Sequence, residues 1–347
     1  MNPENVSPDL RLAVGKGLFG AAVLLVVAAA LGAAVVVVGG HGEEVRRLWT
    51  GLDGGHLALA WLVMTSGMVG LALRWRAFFP AGVRADLAPL TSILFVGMLL
   101  NYALPGPVGE LVGASLAARR FGIRTEAALA AGLTARFIGL GVAGLVALIL
   151  VMSGWVPLPE GAGPWIRVAT VMIAGGACVL AFLAAFPGRL EQAADATVGR
   201  AAEVRGLGWL RPVHSAAVRF AHALGALGRV GVKPYVRAIF WAFVGHALVI
   251  FGVWIAGHGL GQAPAVPGLV FTYAASTAGA VALFAMPGGQ VGWDAMFASL
   301  LVSSAGMDVS SALALTLAVR LQQLTLVFLG GIALVVWLRN GTAQPAG

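Results

Sequence analysis

Asn101-Tyr102-Ala103-Leu104-Pro105-Gly106-Pro107-Val108-Gly109-Glu110 interrupts one apolar region, and Met286-Pro287-Gly288-Gly289-Gln290-Val291-Gly292-Trp293-Asp294 interrupts another far downstream. Glu110 is followed 12 residues later by Gly122 and 26 later by Arg136. Asp294 is followed 12 residues later by Gly306 and 26 later by Arg320. Leu116, Ala128 and Leu129 return as Leu300, Ala312 and Leu313 at the same 184-residue offset. An acid, a glycine and an arginine at fixed spacing in two hydrophobic halves mark an internal repeat. In a membrane protein, paired and interrupted segments of this kind point to a substrate site.

Composition places the chain in a bilayer. Hydrophobic residues make up 59% of it and charged residues only 10%. Several apolar stretches exceed the ~18–20 residues that cross a bilayer as a helix. The first, residues 17–38, has 22 residues, longer than the ~7–15 of a signal-peptide core, and reads as an uncleaved span. Cys178 is the only cysteine, which excludes a disulfide framework and a cysteine metal cluster. The net charge of +8 fits cytoplasmic loops beside anionic lipid heads better than nucleic acid. No nucleic-acid partner, metal or cofactor is expected.

Full spans are expected at about 17–38, 55–73, 127–151, 165–186, 235–257 and 311–338. Two further regions, about 88–121 and 268–305, are apolar but broken at Pro105-Gly106-Pro107 and at Pro287-Gly288-Gly289. Proline removes a backbone donor and glycine tolerates unusual dihedrals, so a helix breaks there. Irregular backbone at membrane depth survives only inside protein or lining a wet cavity. Re-entrant hairpins follow, although two full crossings per pair return the chain to the same side. The expected fold is an all-α polytopic membrane protein, one transmembrane domain over residues 1–347. It has about six full spans plus two broken or re-entrant hairpins, with repeat 1 at about 55–151 and repeat 2 at about 235–338.

Positive charge orients it. With the N-terminus in the cytoplasm, 17 of the 22 basic residues fall inside, among them Arg74, Arg76, Arg119, Arg120 and Arg124. Only Arg46, Arg47 and Arg167 fall outside, while Arg136 and Arg320 lie within spans. This asymmetry supports an inner-membrane, multi-pass protein with both termini cytoplasmic. The first hairpin then enters from the cytoplasm and the second from outside, so the repeats are inverted, as in many alternating-access transporters. The connector, residues 187–234, is polar and rich in arginine. Val213, Ala217, Phe220, Ala221, Leu224 and Leu227 form one apolar stripe, read either as an interfacial amphipathic helix or as a solvated loop with a packed helix.

Of 14 acidic residues, only Glu110 and Asp294 fall in hydrophobic segments; among the basic ones, only Arg136 and Arg320 do. A charge at the bilayer centre costs several kcal/mol unless paired or solvated. Two readings follow. The arginines hold an anionic headgroup by bidentate bonds while the acids balance them. Alternatively, Glu110–Arg136 and Asp294–Arg320 are ion pairs that only pin each hairpin to the next helix. Asn101 and Gln290 either satisfy backbone freed at the breaks or bind substrate hydroxyls. Gln322 and Gln323 face the same cavity or bond between helices. His246 is mid-span, a packing histidine before a proton relay. Trp75, Trp155, Trp165 and Trp254 read as interfacial anchors. The chain has no Gly-x-Ser-x-Gly elbow, His-Glu-x-x-His pair or P-loop, so it is not expected to be an enzyme.

At these residues the chain resembles the lysylphosphatidylglycerol synthase transmembrane (flippase-like) family, which includes the flippase portion of the multiple peptide resistance factor. The resemblance covers roughly residues 10–338. It rests on Leu73-Arg74-Trp75, Asn101 through Glu110, Gly122 and Arg136, and on Pro287-Gly288-Gly289 with Asp294, Gly306 and Arg320. The family usually carries a basic residue where Pro107 stands and often another at Gly113, a glutamate where Ala135 stands, and a glutamate in place of Asp294. The resemblance implies translocation of a polar-headed lipid between leaflets.

The expected function is therefore a lipid translocase whose substrate is a membrane lipid, anionic, glycosylated or aminoacylated. Its expected site residues are Glu110, Arg136, Asp294, Arg320, Asn101 and Gln290, with breaks at Pro105, Gly106, Pro287, Gly288 and Gly289 that flex. The main competitor is a proton-coupled transporter of a small anion, which uses the same physics. Lipid-biosynthesis enzymes or a second copy of the chain are the candidate partners.

Overall fold

The computed structural model describes residues 40–103, 108–157, 230–284 and 289–340, with isolated positions between 171 and 227. The expected spans at 17–38 and 165–186, most of the connector 187–234, Trp165, and Pro105, Gly106, Pro107, Pro287 and Gly288 lie outside the described residues.

All regular structure among the described residues is helical. In chain order the helices are α1 (Gly42–Thr50), α2 (Gly54–Arg76), α3 (Leu87–Ala103), α4 (Val108–Phe121), α5 (Thr125–Met152), α6 (Val232–Gly259), α7 (Val266–Phe284), α8 (Gly289–Ala305) and α9 (Val309–Asn340). Four of them, α2, α5, α6 and α9, are long and apolar enough to cross a membrane. Apolar side chains exposed on their outer faces, such as Leu62, Phe240 and Phe328, suit contact with hydrocarbon rather than water. The protein is an all-α polytopic membrane protein.

Local chemistry sets the ends. Asp53 caps α2, its carboxylate accepting from the Gly55 N–H at 2.8 Å. Glu110 lies in the first turn of α4, and Arg119 and Arg120 lie in its last, each suited to the helix dipole. Gly122 then takes φ +66° and Gly306, after α8, takes φ +72°. An L side chain strains in this left-handed region, so glycine ends each helix. The Ile123 N–H closes the first of these turns by donating to Ala118 O at 3.1 Å. The Asp308 carboxylate opens α9 by accepting from the Ser311 N–H at 2.9 Å.

The order long, short, short, long occurs twice, in α2–α5 and in α6–α9. The 184-residue offset carries the end of α4 at Phe121 onto the end of α8 at Ala305, and the start of α5 at Thr125 onto that of α9 at Val309. Helices α2 and α6 make the most extensive contact. Glycines let them close: a Cβ on Gly70 would stand 3.1 Å from the Gly245 Cα. Arms α3 and α4 pair, as do α7 and α8. Each first arm also packs on the last helix of the other half, α3 on α9 and α7 on α5. Trp337 Nε1 donates to Ser92 Oγ at 3.2 Å across the first of these contacts.

Two expectations change. Trp75 is not an interfacial anchor; it is buried, and its Nε1–H donates to Ala128 O at 3.1 Å. Arg74 is not a solvated loop cation; it is 8% exposed. In both, α2 continues to Arg76 and turns these side chains onto α5 instead of ending before them. Trp155, at 71% exposed, remains free to meet an interface. Trp254 is partly buried and stacks on Phe251.

Candidate functional site

Both helix breaks carry an ion pair. In the first half, Arg136 Nη1 on α5 is paired with Glu110 Oε1 on α4. In the second, Arg320 on α9 donates to Asp294 Oδ2 on α8 from Nη2 at 2.6 Å and from Nε at 3.0 Å. The 26-residue spacing thus becomes a bond between the second arm of each hairpin and the long helix after it. Each acid spends one oxygen this way. The other oxygens, Glu110 Oε2 and Asp294 Oδ1, are buried with no hydrogen-bond partner among the described residues. A carboxylate oxygen left so in low dielectric is costly, which makes it a place for a proton, a water or a substrate donor.

The surroundings of the two pairs differ. Arg320 is enclosed, with its side chain 10% exposed. Its Nη1 also donates to the Tyr102 hydroxyl at 3.2 Å, and that hydroxyl donates to Gln323 Oε1 at 2.6 Å. Arg136 is open, with its side chain 39% exposed. An open guanidinium keeps donors for a ligand; an enclosed one serves the fold first.

The remaining expected residues separate. Asn101 satisfies freed backbone: its Oδ1 accepts from the Gly109 N–H at 2.8 Å across the break. A Cβ on Gly109 would overlap that amide, so glycine is required by close approach. Gly289 opens α8 and Gln290 lies in its first turn, with the glutamine side chain outside the described residues. Gln322 Nε2 donates to Thr65 Oγ1 at 3.2 Å, an interhelical bond.

A second polar cluster lies across the halves. His246 Nε2 donates to Gly139 O at 2.9 Å, since a carbonyl only accepts. In the neutral ring His246 Nδ1 then accepts from the Tyr273 hydroxyl at 3.1 Å. The Arg74 guanidinium lies against Gly139, where a Cβ would fall inside it. Arg136 and Tyr273 are its electrostatic neighbours. Gly139 and Gln323 each stand three residues after their arginine, and each is where the opposite half docks, through His246 and Tyr102 respectively. Sequence reasoning missed Arg74 and gave Tyr102 and Tyr273 no role. Arg74, two residues from its helix end, looks like a loop cation; its one signal was its place in Leu73-Arg74-Trp75.

Fold and site together define a class: a polytopic helical membrane protein with an ion pair between the second arm of each hairpin and the long helix after it. The chain matches the lysylphosphatidylglycerol synthase TM region over residues 20–331 and belongs to that family. No curated protein and no solved structure gives a significant match.

Proposed function

We propose that the protein is a lipid translocase that moves a polar-headed lipid, anionic or bearing a glycosyl or aminoacyl group, between the leaflets of the inner membrane. It acts by binding and release rather than covalent chemistry. The family supports a role with membrane lipids. One observation carries the reading further: each ion pair joins the second arm of a hairpin to the next long helix, and each leaves one buried carboxylate oxygen without a partner among the described residues. Arg136 lies 11 residues into α5, ~17 Å along the axis at ~1.5 Å per residue. That is about half of a ~30 Å hydrocarbon core. The headgroup meets Arg136 there while its tails stay in lipid, and Glu110 and Asp294 balance or gate the cations. The two halves are inverted repeats, with re-entrant hairpins entering from opposite sides and both termini cytoplasmic. Inversion is what lets one polar site open alternately to each face.

A proton-coupled carrier of a small anion would use the same charges. A lateral opening toward lipid favours the translocase, and an apolar cavity lies between α5, α6 and α7. The test is translocation of headgroup-labelled lipids in proteoliposomes, comparing wild type with Glu110→Gln, Arg136→Ala and Arg320→Ala. Wild-type activity that is lost in folded variants is expected. Activity that survives all three substitutions would reduce the pairs to structural pins. No wild-type activity with anionic, aminoacylated or glycosylated lipids would sink the translocase.

A further inference from the structure

The cavity between α5, α6 and α7 has a volume of about 480 Å³. That lies within the ~300–1,000 Å³ usual for small-molecule sites. Its lining on α6 runs from Phe243 to Trp254, ~17 Å of helix at ~1.5 Å per residue. Val146 and Val270 line it from α5 and α7. The wall is almost wholly apolar, and such a cavity does not hold water. Two long helices that flank it are of membrane-crossing length, so the medium at its mouth is hydrocarbon. Phe243, Phe251 and Val266 are 48%, 52% and 55% exposed there.

The lining also holds a polar pair, His246 and Tyr273, and through Gly139 it backs onto Arg74. Arg74 has no carboxylate partner among the described residues, and its Nε is buried without a hydrogen bond. Arg136 and Arg320 are each matched by an acid, Glu110 and Asp294, whereas the buried Arg74 has no such match among the described residues. Among the described residues one positive charge is left over, behind the His246–Gly139 contact that borders the cavity. An uncompensated cation in low dielectric calls for an anion.

We propose that this groove seats a hydrocarbon chain of an anionic membrane lipid, with Arg74 as the cation its headgroup faces. The proposal deepens the translocase reading and rests on it for a lipid as occupant. His246 and Tyr273 mark the boundary between chain and headgroup, their outward hydrogen bonds already spent on Gly139 and on each other. Arg136 is an electrostatic neighbour of Arg74, so a headgroup held at Arg74 also feels the ion pair of the first half.

The test is photo-crosslinking of the reconstituted full chain with a phosphatidylglycerol that carries a diazirine in its acyl chain. Phosphatidylcholine with the same chain is the control. Crosslinked peptides are expected from α5, α6 and α7, several-fold more with the anionic lipid. Val146→Trp and Val270→Trp fill the groove and are expected to cut that labelling several-fold in protein that elutes as a single folded species. Arg74→Gln is expected to abolish the preference for the anionic lipid, and Arg74→Lys to keep it. Should Arg74→Gln not fold, the lysine variant and the two tryptophan variants still decide. Labelling spread evenly over the outer faces of the helices, or insensitive to the tryptophans, overturns the groove. So does protein–protein crosslinking that shows a second copy seated in it. The two readings fail separately. Groove labelling without translocation sinks the translocase and leaves the lipid site. Translocation by wild-type protein whose groove is not labelled sinks the site and leaves the translocase.

Discussion

Arg136 and Arg320 occupy equivalent places in the two halves, but their neighbours set them different tasks. Arg320 is tied to Asp294 by two bonds and to Tyr102 by a third. Removing it leaves the Asp294 carboxylate without its cation and the Tyr102 hydroxyl with Gln323 alone, and breaking a buried pair costs about 3–5 kcal/mol. Arg136 is more exposed, and its ion-pair partner among the described residues is Glu110. Thermal unfolding in detergent is therefore expected to fall further for Arg320→Ala than for Arg136→Ala, while translocation is lost in both. Equal unfolding temperatures would contradict the division of labour. Gly139→Ala belongs to the same scale. Its new methyl would occupy the place of the Arg74 guanidinium, so the arginine must leave. The expected outcome is a folded protein with reduced anionic-lipid labelling and reduced transport; unchanged labelling would show that Arg74 does not face the headgroup. The ion pairs were legible in the sequence because charge is rare in an apolar chain and the same 26-residue spacing from acid to arginine occurs twice. Arg74 was not, because nothing local distinguishes a cation at a helix end that turns inward from one that turns out.

At the scale of the helix, the ends follow from single residues. Gly122 and Gly306 hold left-handed backbone, so Gly122→Ala and Gly306→Ala should each cost about 1–2 kcal/mol. Gly331 is the control: it is inside α9 with open space around its Cα, and Gly331→Ala should be neutral or stabilising by up to about 1 kcal/mol. Thermal unfolding of the three variants checks this, and a loss at Gly331 equal to the others would refute the argument from φ. The cap of α2 has a pH signature. The His56 ring bonds the Asp53 carboxylate at 2.6 Å, and the Gly55 N–H adds to it, so the carboxyl is held below its ordinary value. A depressed carboxyl stabilises the folded end above its unfolded pKa of ~3.9 and loses that contribution as pH falls through the folded value. Amide-exchange protection in the first turn of α2 should be constant near neutral pH and fall below about pH 4. Asp53→Ala should exchange fast at every pH. The four long helices and the four hairpin arms were readable from apolar length and from Pro-Gly breaks, which act within a few residues. The inward turn of Trp75 was not readable, since it depends on what α5 presents to it.

Across the whole molecule, the halves interlock: α3 lies on α9 and α7 on α5. A site at one break is therefore walled by the other half, which is why Tyr102 reaches Gln323 and His246 reaches Gly139. The proposed inversion has a direct test. In a Cys178→Ser background, Arg124→Cys and Val309→Cys place thiols at the exposed starts of α5 and α9. An impermeant maleimide added outside intact cells should label Val309→Cys only, and Arg124→Cys should react only once the membrane is opened. Labelling of both from one side would make the repeats parallel and remove the basis for alternating access. The order of amino acids alone specifies the membrane class, the helix pairs and their breaks, and which acid stands at the spacing that meets which arginine. These depend on composition, on local backbone chemistry and on a register kept within one half. Long-range packing is what buries Arg74, spends Asn101 on the backbone, and encloses one arginine while leaving the other open. Those outcomes depend on which side chains the opposite half delivers from more than a hundred residues away, and no local pattern encodes that meeting.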